Sequence, residues 1–169
     1  MNKSHPFKVM LTNAAMGLTL VCLLAILGFQ LFAQKIHSNQ PFDTIQAKVS
    51  EGLDPNLYPP ISTASLRRYL DLDPALFNQI VLLRNEDALS ARELCLVWFD
   101  QPQAGNAFEQ AVEQRIYSQK DIYEGYAPEQ TALMENALVD IEDNYALYYV
   151  GDNPQTMQNT FQNALKGGQ

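Results

Sequence analysis

The sequence predicts an α+β domain, one four-stranded, largely antiparallel sheet packed by helices, behind an N-terminal transmembrane helix. Three observations carry this. The 26 residues between Lys8 and Lys35 hold no charge. Two pairs of short apolar runs have strand length: FNQIVLLR with RELCLVWF, and LVDIE with YALYYV. Between and after those pairs, apolar residues recur at helical spacing. The predicted order is α-α-β-β-α-α-β-β-α, and strand pairs set ahead of helices point to α+β rather than to a parallel sheet.

The first element is Val9 to Gln34. As a helix it would reach about 39 Å, against about 30 Å of bilayer hydrocarbon. A cleaved secretory signal would cut after Ala33, but Leu31 stands where that cut needs a small residue. A lipoprotein signal would need a small residue before Cys22, and Val21 is there. An uncleaved signal anchor fits best. Lys3, Lys8 and the free amine precede the span; Lys35 and Lys48 follow it. With so short a leading tail, the expected topology is N-terminus inside and domain outside. The expected organisation is a cytoplasmic tail over 1–8, the anchor over 9–34, a membrane-proximal helix and Pro-rich linker over 35–60, and an extracytoplasmic domain over 61–169.

Beyond the span, Phe42, Ile45, Gln46 and Val49 trace a short helix, with Pro41 suited to its first turn and Gly52 to its end. DPNLYPP is an extended connection. Ser62 or Thr63 can cap a second helix through Leu66, Tyr69 and Leu70. The strands Phe77–Arg84 and Arg92–Phe99 flank a charged loop; LCLVWF is apolar on both faces and predicts a central strand. Gln101 to Gly105 reads as a turn. A long helix then runs from about Ala104 to Tyr123, with Phe108, Ala111, Val112 and Ile116 on one face and Glu109, Glu113 and Gln114 on the other. Gly125 can take a left-handed cap and Pro128 can open the next helix. Leu138–Glu142 and Tyr145–Val150 form a strand pair around Asp143-Asn144, and Asn153 with Pro154 opens a last helix.

Charge divides at the span. All 19 acidic residues follow it, against nine of the 11 basic ones, leaving a net of −10. Such a domain should repel nucleic acid and attract a basic partner or cations. The histidines, His5 and His37, flank the span, so Ser–His–Asp, Cys–His and His-based metal sites are not expected in the domain. No P-loop, Gly-rich dinucleotide turn or Cys-x-x-Cys motif is present, so no cofactor is expected. Cys22 and Cys95 form no disulfide framework, and Cys95 reads as a small buried apolar residue. The candidate carboxylates are Glu86-Asp87, Glu109 with Glu113, Asp121 with Glu124, and Asp140, Glu142 and Asp143. A helix-borne pair could serve a glycosidase, yet Glu109 and Glu113 fall on the polar face. Asp140 to Asn144 offers oxygens but lacks the spacing of a calcium loop. Tyr117, Tyr123, Tyr126, Tyr145, Tyr148 and Tyr149 either pack or form a binding face. Arg115, beside the apolar stripe, should pair with a carboxylate or cap carbonyls near EGYAPEQ.

Several pieces together carry a resemblance: Arg92-Glu93-Leu94, Gln114-Arg115, Gln119-Lys120, Gly125-Tyr126-Ala127-Pro128-Glu129-Gln130 and Asn136-Ala137, followed by the strand pair and final helix. From about Leu66 to Leu165 the chain resembles the domain-of-unknown-function 4358 family of Gram-positive bacterial envelope proteins. The resemblance implies a fold and an envelope compartment rather than a reaction. Arg115, Gly125, Tyr126, Pro128 and Gln130 are the motif residues it singles out. The expected function is a membrane-anchored binding or accessory module that contacts another envelope protein and has no catalytic site. The alternatives are a carboxylate-dependent cell-wall glycan hydrolase and a small-molecule or lipid-binding module.

Overall fold

A computed structural model describes residues 35–85 and 87–167, with Met16, Leu18, Thr19, Val21, Cys22 and Leu23 of the N-terminal stretch. Those six are helical. The rest of the expected span lies outside the described residues. Among the described residues, no helix is long and apolar enough to cross a membrane.

The compact unit runs from Ile36 to Gln169. Its strands are β1 (Gln79–Arg84), β2 (Glu93–Trp98), β3 (Leu138–Ile141) and β4 (Tyr145–Val150). They form one antiparallel sheet of order β1-β2-β4-β3. Two hairpins therefore lie side by side, with β2 and β4 as the inner strands. Both inner strands are apolar on both faces because both faces are covered.

One face meets α2 (Leu66–Leu70), α3 (Pro102–Glu124) and α4 (Pro128–Glu135). It presents Leu82, Cys95, Val97, Ala146, Tyr148 and Val150, against Phe108, Val112 and Met134 of the helices. The other face meets α1 (Phe42–Ser50) and α5 (Pro154–Leu165), which pack on each other. There Leu94, Leu96, Tyr145, Leu147 and Tyr149 contact Phe42, Ile45, Val49, Met157 and Phe161. β4 therefore alternates, with Tyr145, Leu147 and Tyr149 on one face and Ala146, Tyr148 and Val150 on the other.

Several local expectations are corrected. The helix expected within 35–60 is present as α1, but from Ile36 onward that segment belongs to the compact unit. Its α1 supplies half of the second helical layer, and Tyr58 is buried. The prolines do not merely extend the chain: Arg84 N donates to Pro59 O and Ile61 N to Leu82 O, so this segment covers half of the β1 edge. Gln101–Gly105 is no turn. Pro102 starts α3 at a first-turn position, and Gly105 lies inside that helix where it passes over Phe99; a Cβ there would stand 2.9 Å from Phe99 Cζ. Gly125 is right-handed, at φ −81° and ψ −18°, rather than a left-handed cap. Asn153 is itself left-handed, at φ 54°, and makes no side-chain cap bond.

Two glycines thus behave oppositely. A Cβ on Gly125 meets nothing within 4 Å, whereas one on Gly151 would collide with the hydroxyls of Tyr58 and Tyr149. Gly125→Ala should stabilise by about 0.4–1 kcal/mol through the unfolded chain. Gly151→Ala should destabilise by about 1–3 kcal/mol through overpacking. Denaturant midpoints of the two variants check both signs.

Candidate functional site

The largest concentration of charge is buried at one end of the sheet. Arg84 ends β1 and Glu93 begins β2, and the antiparallel register sets them opposite each other. Both are buried, at 7% and 3% exposure. Arg84 Nε donates to Glu93 Oε2 at 3.0 Å. Arg115 reaches down from α3 and forks onto the same carboxylate, Nε to Oε1 and Nη2 to Oε2, each at 3.0 Å. Tyr148 of β4 donates its hydroxyl to Oε1 at 2.5 Å. Tyr69 of α2 lies against the cluster, its ring centroid 4.3 Å from the Arg84 guanidinium carbon and 5.5 Å from that of Arg115. Four donors thus converge on one buried carboxylate, and an aromatic ring lies against both guanidiniums.

This geometry is a tether. Burial, and then the charge of Glu93, push the Tyr148 phenol well above its ordinary range, so its proton stays in the bond to Glu93. Burial alone would lower the Arg115 guanidinium, but the Glu93 charge more than offsets this and raises it. Cys95, fully buried, has its thiol pushed up by burial and by Glu93, which leaves no thiolate near neutrality. The cluster joins β1, β2, β4 and α3 through one side chain.

The sequence marked Arg115 and expected a carboxylate partner; the partner is Glu93. It did not mark Arg84 or Glu93 as a pair. The available signal was a pair of opposite charges at the loop ends of two apolar strands joined as a hairpin. The other motif residues lie elsewhere. Gln130 accepts from Ala91 N at 2.9 Å and so ties α4 to the start of β2. Pro128 opens α4. Gly125 lies between α3 and α4, and Tyr126 is exposed, with its ring 6.0 Å from that of Tyr123. The motif therefore builds the α3–α4 corner, and its side chains do not converge on one site. Of the six late tyrosines, Tyr123, Tyr145, Tyr148 and Tyr149 are buried, and Tyr117 and Tyr126 are exposed.

The acidic candidates are dispersed. Glu109, Glu113, Asp121 and Glu124 are all exposed on α3. Asp140 accepts from Gln158 and Gln162 of α5, Glu142 from Ile36 N, and Asp143 Oδ2 stands 2.7 Å from His37 Nδ1. Among the described residues, no group of three or more His, Cys, Asp or Glu is placed to hold a metal ion. His37, expected outside the domain, is therefore part of it. Its neighbour Ser38 donates to Leu165 O rather than to the imidazole.

Surface grooves accompany the cluster among the described residues. One, of about 580 Å³, is lined by His37, Asp43, Trp98, Asp100, Asp143 and Tyr145, among others. A second, of about 370 Å³, lies between Tyr58, Arg92, Tyr149 and Asp152. A third, of about 380 Å³, lies over Tyr69 and Arg115.

The fold and this buried tether define a small α+β domain with an antiparallel sheet covered on both faces and open grooves on its surface. The chain belongs to the DUF4358 family, a domain of unknown function, whose model matches residues 53–151. The match takes in the sheet, α2, α3 and α4; α1 and α5 fall outside it. Neither a curated protein nor a solved structure matches the chain.

Two outcomes follow from the tether. Glu93→Ala should cost about 3–5 kcal/mol, because it leaves two buried guanidiniums facing each other, while Tyr148→Phe should cost about 1–3 kcal/mol. Thermal or denaturant unfolding of the variants measures both. In a Cys22→Ser background, a thiol reagent should label Cys95 only on unfolding. Labelling in native buffer at the rate of a free thiol would contradict the burial.

Proposed function

We propose that this chain is a single-pass, membrane-anchored binding module of the bacterial cell envelope, with its acidic domain on the outer side. The observation that carries it is the uncharged stretch of 26 residues. Its described residues are helical, and Met16, Leu18, Val21 and Leu23 are mostly exposed there. Apolar side chains left open at helical positions favour a lipid environment. The envelope compartment accords with the family resemblance. A binding role, rather than a catalytic one, is supported by the Glu93 cluster, whose ionisable groups are spent on one another.

A carboxylate-based hydrolase finds less support. Glu109, Glu113, Asp121 and Glu124 are all exposed on α3, and none lines the grooves described above. A ligand-binding role for the late tyrosines has a specific observation in its favour. Tyr145 and Tyr149 each line a groove.

The test is fractionation with protease access. The chain should resist high-salt and alkaline extraction and leave the membrane only with detergent. Protease added to intact protoplasts should degrade the domain, and crosslinking in intact membranes should trap a discrete partner. Recovery in the soluble fraction, or a domain protected until lysis, would overturn the proposal.

A further inference from the structure

The groove at the Trp98 end of the sheet has a composition that neither the tether nor the anchor requires. Its floor is one register row across three strands: Gln79 of β1, Trp98 of β2 and Tyr145 of β4. Trp98 and Tyr145 stack with ring planes 19° apart, and Tyr145 stacks on Phe42 of α1 at 16°. Gln79 is exposed and Trp98 half-buried, so the indole remains accessible from outside, with buried Tyr145 stacked against it.

Its rim carries three carboxylates from three elements. Asp43 stands in the first turn of α1, Asp100 just after β2, and Asp143 in the β3–β4 turn. The only basic side chain in the lining is His37, and it is engaged with Asp143. One wall is fixed in advance. Ser38 N donates to Asn144 Oδ1, Asn144 Nδ2 donates back to Ser38 O, and Asp143 N donates to Ile36 O.

From this geometry we propose that the groove binds a Lys or Arg side chain presented by a polypeptide partner. A tryptophan face is the strongest aromatic host for a cation, and carboxylates above it add charge-assisted hydrogen bonds. The volume suits a side chain with its flanking backbone. The net charge of −10 beyond the span steers a basic segment toward the unit and repels phosphates and acidic peptides. The inference rests on the binding-module proposal and gives it a ligand class.

Trp98 is the only tryptophan in the chain, so its emission reports on the groove directly. Full-length protein in detergent should be titrated with an oligolysine peptide, a neutral chito-oligosaccharide and an oligoglutamate. A saturable Trp98 response to oligolysine is expected, weakening with salt. In Asp43→Asn/Asp100→Asn the affinity should fall about tenfold. In Glu109→Gln/Glu113→Gln, which removes the same charge from the exposed face of α3, it should not change. A response confined to the saccharide, emission that changes with protein concentration alone, or equal losses in both double variants would overturn the proposal. Crosslinking separates the two proposals: Asp43→Asn/Asp100→Asn should remain in the membrane while losing its partner. Retention of the partner sinks the groove assignment alone, and a wild-type chain in the soluble fraction sinks the anchor.

Discussion

The structure depends on one buried carboxylate. Glu93 is held by Arg84 across the hairpin, by Arg115 from α3 and by Tyr148 from the neighbouring strand. Each partner comes from a different element, so the cluster closes only when both hairpins are paired in register and α3 is seated. Apolar packing alone tolerates sliding, because one leucine can replace another. A forked guanidinium on a carboxylate does not. The cost of desolvating these charges is met by four hydrogen bonds and by the Tyr69 ring against the guanidiniums, which lets the cluster specify the arrangement.

Around this point the sheet is covered unequally. The face with α2, α3 and α4 is covered along its length and contains the charged tether. The opposite face is covered by α1 and α5 over β2, β4 and β3, while Gln79 and Trp98 stay accessible at one end. That asymmetry produces the aromatic groove. The entering chain, at residues 36–38, is stitched to the β3–β4 turn by reciprocal backbone and Asn144 bonds and forms one groove wall. The same segment thus joins the fold and borders the groove that Trp98 lines.

Much of the fold was legible in the sequence. LCLVWF and YALYYV are apolar at every position, and both became inner strands because only inner strands are buried on both sides. The helical stripe Phe108, Ala111, Val112 and Ile116 faces the core as its spacing requires. Misreadings fell where a residue has two physical uses. The run Gln101–Gly105 reads as a turn, yet the missing side chain of Gly105 lets α3 pass over Phe99. The stretch DPNLYPP reads as an extended connection because it is rich in proline, and its last two prolines also cover a strand edge. The candidate site was legible in part: Arg115 is conspicuous as a lone cation beside an apolar stripe, whereas Arg84 and Glu93 look like ordinary strand ends.

What the sequence determined by itself was local: the strand and helix periods, the α+β order, the concentration of acid beyond one uncharged stretch, and the lack of histidine after position 37 and of phosphate-binding motifs. These properties belong to runs of neighbouring residues, and hydrophobic period and charge are read one run at a time. Only the tertiary structure decided that Glu93 meets Arg115, that His37 meets Asp143, and that Trp98, Asp43 and Asp100 line one groove. Those partners are separated by between 22 and 106 residues in the first two cases. Their meeting depends on strand register and helix docking, which no local pattern encodes.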